Sequence, residues 1–314
     1  MTLKNRIIKI LKKNNFLFPI YILLKIIKDE RNLYYYFQQF LRNIRIRNYF
    51  KKLEIYLIGK KSNRKLSFNS NKRKTQLIAD GFCFLPNLLN ETQINDIKKY
   101  LSNKNLIDLS RPENGIFTLN NRPYDSQVCH YLSRDIIKIP HLKNIINNLE
   151  VLKIFENVYG CIPRVDYIGA WWSFPSNKTE EQQFFHRDMD SLNFFKLFIY
   201  LSDVDSNDGP HVYIKGSHLE NYKIKPYLRL SDHELLKKYD KNQFNEFYGL
   251  KGTSFLVDTF GIHKGKTPTR DSRLILQVIY SLKRTPYFDK NVYLAKKFNQ
   301  RDSYLNYVNG HIFK

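Results

Sequence analysis

The chain has 314 residues, 42% of them hydrophobic and 15% aromatic, which is ample for a sizeable core. Its three cysteines, Cys83, Cys129 and Cys161, are far apart, odd in number and without a CxxC pair, which excludes a disulfide framework and fits a reducing cytosol. The net charge of +23 is uneven: residues 1–74 hold 20 Lys/Arg against Asp29, Glu30 and Glu54, a net of +17, so only +6 is left for the remaining 240 residues.

In chain order, the stretch from Lys4 to Phe50 mixes basic and apolar residues at near-helical spacing, with Ile7, Ile8, Ile10 and Leu11, then Leu23, Leu24, Ile26 and Ile27, then Tyr35, Phe37, Phe40 and Leu41. The run FLFPIYILL is too short to span a bilayer, and it lacks a small-residue cleavage site. Three roles stay open for this extension: a helix lying on an anionic membrane surface, a helical arm packed on the rest of the protein, or a grip on phosphates. Nucleic acid is the least supported, because no zinc ligands, helix-turn-helix pattern or RNA-binding fingerprint accompanies the charge. Gly59 to Thr75 is polar, basic and aperiodic, and reads as a linker. It divides an extension, 1–75, from a main domain, 76–314.

Beyond it, DGFCFLPNLLNETQINDIKKYL reads as a strand and then a helix. Asn103 to Gln127, with Pro112, Gly115 and Pro123, is irregular and expected to roof a site. Trp171 and Trp172 alternate across a strand, so only one of them can face inward. FFHRDMD reads as a strand carrying His186 and Asp188, and FFKLFIYLSDV as another. Leu219 to Tyr248 reads as largely helical, with Leu235, Leu236 and Tyr239 on one face. Arg273 to Tyr280 alternates with both faces largely apolar, as in a strand within a two-sheet sandwich.

The chemistry lies in two segments 77 positions apart, FFHRDMD and VDTFGIHKGKTPTRDSRLILQVIY. On a strand, His186 and Asp188 share a face. With His263 they supply two imidazoles and one carboxylate, a set that can occupy one face of an octahedral ferrous ion and leave three positions open. Arg273, ten residues after His263, offers a guanidinium fork for a carboxylate.

The stretch from Ile78 to about Lys283 resembles the phytanoyl-CoA dioxygenase family of iron- and 2-oxoglutarate-dependent oxygenases. The resemblance is carried by the strand-helix entry, by WWSFPSNKTEEQQFFHRD, by KLFIYLSDVDSNDGPHVYIKGSHL and by FGIHKGKTPTRDSRLILQVIYSL. It implies a mainly β fold, a double-stranded β-helix (jelly-roll, cupin-like) core with flanking helices, here with an α-helical N-terminal extension. It implies Fe(II) on His186, Asp188 and His263, 2-oxoglutarate as co-substrate with its distal carboxylate on Arg273, and dioxygen. Ser173 and Gln183 lie where relatives place further co-substrate contacts. Many relatives carry a small hydroxyl residue two positions after the second histidine; here that position is Gly265, and Thr267 or Thr269 is the expected substitute. Relatives that halogenate lack the carboxylate, so Asp188 implies hydroxylation or a related oxidation.

Each of these residues has a plainer reading. His186 and Asp188 can be a polar strand face, His263 a turn cap, and Arg273 an ordinary ion pair. His211 and His218 are read as hairpin residues rather than ligands, and His130, His141, His233 and His311 have no motif around them. Weighed together, the chain reads as a cytoplasmic hydroxylase, peripheral to the membrane if the extension binds it. Its substrate is a small molecule, a lipid-linked compound or a sugar precursor. The alternatives are a non-catalytic binding module and a membrane-surface scaffold that retain the fold.

Overall fold

The computed structural model describes residues 18–62, 68–221, 229–287 and 302–312. The extension forms three helices, α1 (Phe18–Lys28), α2 (Arg31–Phe40) and α3 (Ile44–Ile58). The α3 start is fixed by Asn43, whose side chain accepts from the amides of Arg45 and Ile46. The expected linker is not all loop: α4 (Phe68–Asp80) begins within it and runs through Thr75. Leu77 of α4 is buried, and the helix packs against β1 (Phe82–Leu85) and the later helix Leu149–Tyr159. Polar composition hid that helix, because one anchoring side chain gives no period.

α5 (Glu91–Leu101) opens with a capping box between Asn90 and Gln93. After it come β2 (Leu106–Asp108), β3 (Ile116–Phe117) and β4 (Val128–Tyr131). Helix α6 (Leu149–Tyr159) ends at Gly160 in the left-handed conformation. The remaining strands follow: β5 (Arg164–Ser173), β6 (Phe194–Tyr200), β7 (His211–Ile214), β8 (Phe244–Phe247), β9 (Ser254–Val257), β10 (His263–Gly265) and β11 (Arg273–Ser281).

Two antiparallel sheets result, one ordered β1-β9-β6-β11-β5-β4-β2-β3 and the other β10-β7-β8. This two-sheet jelly-roll core with flanking helices is the expected architecture. Strand β11 lies between β5 and β6 and is buried along its whole length. Its Leu274, Leu276, Val278 and Tyr280 join the core shared with α6. Its Arg273, Ile275, Gln277 and Ile279 line a cavity between the sheets. Register carries that inner face across the sheet: Ser173 lies opposite Arg273, Trp171 and Tyr200 opposite Ile275, Phe198 opposite Gln277, and Tyr167 and Lys196 opposite Ile279. Phe82, Phe198, Tyr213, Phe247, Phe255 and Ile275 close the sandwich beside the cavity. Each such ring is worth roughly 1.5–3 kcal/mol when fully buried.

The tract from Leu219 to Tyr248 departs from expectation. Residues 222–228 lie outside the described residues, and beyond them only Asp232–Leu236 is α-helical, while Phe244–Phe247 is β8. The expected shared face is not kept: Leu235 and Tyr239 are buried against the strand residues Val212 and Ile214, whereas Leu236 is exposed. All three cysteines are free and buried, with burial pushing each thiol up to about 12. No helix among the described residues is long and apolar enough to cross a membrane.

Candidate metal centre

His186 and Asp188 do not lie on a strand proper. They occupy an extended segment between the 3-10 turn Glu181–Gln183 and β6, tied down by single bridges. The His186 amide donates to His263 O at 2.9 Å, and the His263 amide donates back to His186 O at 3.0 Å. That pairing places the two rings with centroids 4.3 Å apart. The Asp188 amide donates to Thr259 O at 2.8 Å, so the carboxylate rises on the same side as both imidazoles. The alternation expected of a strand therefore survives without the ladder.

The tautomers are set by the backbone. His186 Nδ1 lies 2.9 Å from Phe184 O, and His263 Nδ1 lies 3.0 Å from Gly261 O. A ring nitrogen facing a carbonyl carries the proton, so each Nε2 is left with its lone pair. Those atoms face Asp188, 3.6 Å from Oδ1 for His186 and 3.2 Å from Oδ2 for His263. One ligand atom from each of the three residues lies within 4.8 Å of the others. Burial, and then the neighbouring His263, lowers His186 to about 3, so it is a neutral donor at physiological pH. Burial alone would raise Asp188, but Lys196 and the histidines hold it well below the usual carboxylate range. Two imidazoles that present Nε2 and an ionised carboxylate, the rings buried and Asp188 partly so, fit a divalent transition metal.

The triad opens onto a cavity of about 310 Å³. Arg273 lies in its wall, 4% exposed, with burial lowering its basicity. Its Nη1 donates to Gly209 O, and its Nη2 donates to Ser173 Oγ at 3.3 Å. Among the described residues no carboxylate pairs with it, so the ordinary ion pair is not found. A buried guanidinium facing a cavity with no carboxylate partner among the described residues keeps the donor geometry that suits a carboxylate. Gln183 also lines the cavity; its Oε1 accepts from the Glu180 amide at 2.8 Å.

Two expectations need correcting. Thr267 and Thr269 are not in the cavity wall. Thr267 meets the Thr179 hydroxyl at 3.3 Å, and Thr269 donates to Asn207 O at 3.2 Å. After Gly265 the chain leaves β10 and turns along the loop before β7, which carries both threonines away. Gly265 has a different reason to be small: a Cβ there would sit 2.8 Å from Arg273 Nη2. The guanidinium fills the space of the missing side chain, and Ser173 supplies the hydroxyl beside it.

No family model matches this chain, and no curated protein matches it in sequence. Solved structures do. The non-haem α-ketoglutarate-dependent carbocyclase SnoK from nogalamycin biosynthesis is 18% identical, with 71% of this chain and 86% of that one covered at a TM-score of 0.49. HygX from Streptomyces hygroscopicus, solved with nickel, 2-oxoglutarate and hygromycin B, is 14% identical over 74% of this chain and 93% of its own, also at 0.49. EctD from S. alaskensis, solved with iron, is 14% identical over 73% and 84% at 0.48. At such scores the site rests on this chain's own residues.

Several of those residues escaped the sequence reading. Lys196, on the inner face of β6, bonds Asp188 Oδ2 at 2.6 Å and pairs with Asp190 Oδ2 at 2.7 Å. Burial opposes its charge, but the two carboxylates hold its basicity above the ordinary value. A lysine inside FFKLFIY was the available signal. Tyr287 donates to Asp190 Oδ1 at 2.6 Å and also lines the cavity. His211 lies on β7, stacked on His263 with centroids 5.4 Å apart, so it belongs to the cavity wall rather than to the turn. His218 does hold the turn, through Ile78 O at 2.9 Å. Of the tryptophans, Trp171 lines the cavity, while Trp172 donates to the Tyr131 hydroxyl at 2.9 Å. Leu109, from the irregular stretch before β4, also lies in the wall.

Proposed function

We propose that this protein is an iron(II)- and 2-oxoglutarate-dependent oxygenase that hydroxylates a small-molecule, lipid or sugar-precursor substrate. The observation that carries the reading is the joint arrangement of His186, Asp188 and His263 on a cavity whose wall holds Arg273, which no carboxylate among the described residues pairs with. Bound iron would supply dioxygen activation coupled to oxidative decarboxylation of the oxo-acid to succinate.

The protein's own residues do the rest. His186 and His263 present Nε2 lone pairs, each locked by its Nδ1 proton on a backbone carbonyl. Arg273 takes the distal carboxylate of 2-oxoglutarate, with Ser173 beside it and Gln183 also in the cavity wall. Trp171, Phe198 and Ile275 keep the reacting region apolar and exclude water. Asp188 fills the position a halide would need, which supports hydroxylation over halogenation.

The test is 2-oxoglutarate-dependent succinate formation by the iron-loaded protein. His186→Ala and Asp188→Ala are expected to abolish it together with metal binding. Undiminished succinate formation in these variants would refute the assignment.

The extension carries a separate proposal. Ile20, Leu23, Leu24 and Ile27 of α1 are exposed beside Lys25 and Lys28, a basic apolar face suited to an anionic membrane surface.

A further inference from the structure

The extension docks on the loop that directly follows Asp188. Of residues 189–193, α2 and α3 hold Met189, Ser191, Leu192 and Asn193 directly and Asp190 through Tyr287. Gln38 Nε2 donates to Met189 O. The Tyr35 hydroxyl lies 2.9 Å from that of Tyr287, which donates to Asp190. The Tyr34 hydroxyl lies 2.9 Å from Ser191 Oγ and accepts the Leu192 amide at 3.0 Å. Asn193 Nδ2 donates to Lys51 O at 3.0 Å and to Glu54 Oε2 at 2.8 Å.

Arg47 joins both ligand-bearing loops. It is 1% exposed, the largest fully buried side chain among the described residues. Its Nη2 donates to Ser191 O at 2.5 Å, on the loop after Asp188. Its guanidinium also lies 4.4 Å from the Phe260 ring centroid, three residues before His263. Gln38 O and Oε1 accept its remaining hydrogen bonds at 3.1 Å, which orients the fork. Phe260 in turn packs with Met189, Phe194 and Ile279. A helix surface that only needed to bury apolar area would not place a charged fork here, because desolvating it is costly without such partners.

We propose that the N-terminal arm is a positioning element of the metal centre, with Arg47 setting the spacing between the Asp188 and His263 loops. This rests on the metal-centre reading above. Arg47 touches neither metal nor co-substrate; it acts through the backbone of Ser191 and the ring of Phe260.

The probe is Co(II) titrated calorimetrically into the metal-free full-length protein, with hydrogen exchange followed across residues 189–193. Arg47→Lys keeps the charge but loses the fork, and Tyr34→Phe removes a single hydroxyl. Asn43→Ala weakens the α3 cap without touching either loop, and so controls for arm stability alone. We expect Arg47→Lys to weaken Co(II) binding roughly 10–100-fold, as loss of an outer partner does at metal sites. Tyr34→Phe should weaken it less and speed exchange at Leu192, and Asn43→Ala should lower the melting temperature while keeping the affinity. Wild-type affinity in both Arg47→Lys and Tyr34→Phe would overturn the proposal. So would an equal loss in Asn43→Ala, which would make the arm merely structural. Should Arg47→Lys not fold, Tyr34→Phe decides alone. Failure of the wild-type protein to bind Co(II) would instead overturn the metal-centre reading.

Discussion

Arg273 shows how one side chain can be tested apart from its neighbours. A guanidinium presents two parallel donors to a carboxylate, whereas an ammonium presents a point charge. Arg273→Lys is therefore expected to raise the 2-oxoglutarate requirement by about 10-fold or more, equivalent to about 1.4 kcal/mol or more, while metal affinity is retained. Titration of 2-oxoglutarate into metal-loaded variant protein measures this, and an unchanged requirement would place the clamp elsewhere. Gly265 belongs to the same question. Because a Cβ there would press on Nη2, Gly265→Ala should mimic part of the Arg273→Lys defect. These residues also show what sequence reading can reach. His186, Asp188, His263 and Arg273 were legible because their chemistry imposes a spacing. Lys196, Asp190 and Tyr287 were not, since an ion pair between β6 and the metal loop obeys no local period. Thr267 was misplaced because the direction of the chain after Gly265 depends on contacts with the loop around Asn207.

At the scale of elements, the extension is helical as expected, but its sequence left its role open. Its alternation of basic and apolar residues suits a membrane surface and a packed arm equally well. Contacts such as Arg47 to Ser191, 144 positions apart, are what decide that its inner side packs on the core. Its outer side is a different matter: Ile27 is 74% exposed and Leu23 56%. A protein lacking residues 1–74 would leave the loop after Asp188 unsupported, so it is expected to be unstable rather than merely detached from membranes. The membrane proposal is better tested by sedimentation with anionic vesicles, full-length protein against a Leu23→Ser, Leu24→Ser, Ile27→Ser variant. Salt-sensitive binding by the first and loss in the second is expected; equal sedimentation of the two would remove the proposal. The strands of the core were legible because alternation over β11 is long and both its faces are buried. Helix α4 and strand β8 were not, because each is fixed by packing rather than by pattern.

The whole molecule carries buried histidines that must stay neutral. Burial lowers His130 to about 4 and both His186 and His311 to about 3, each from an ordinary value of 6.5. The unfolded chain binds protons at these sites between pH 6.5 and those values, and the folded protein does not. Stability is therefore intact above pH 6.5 and is lost as pH falls through that window, by up to about 1.4 kcal/mol per pH unit for each histidine. Asp166 acts in the opposite sense. Burial raises it to about 7, so its stabilising share is complete below its unfolded value near 3.8 and is lost as pH rises toward 7. Burial raises Asp190 and Glu54 in the same sense as Asp166, but His211 is lowered by burial and Asp188 by Lys196 and the histidines, so the groups that lose stability toward acid are the more numerous, and the metal-free protein should melt at progressively lower temperature from pH 6.5 to pH 4. A melting temperature that is flat or rises toward acid would contradict this balance.

The central claim is that one buried centre joins a divalent metal to an oxo-acid. Anaerobic calorimetric titration tests it most directly, with Fe(II) first and 2-oxoglutarate second. The expected result is one ferrous ion per chain, followed by one 2-oxoglutarate that binds only after the metal, with Asp188→Ala losing both events and Arg273→Lys weakening the second alone. Full iron occupancy in a protein lacking both His186 and Asp188, or 2-oxoglutarate binding that ignores the metal, would contradict it.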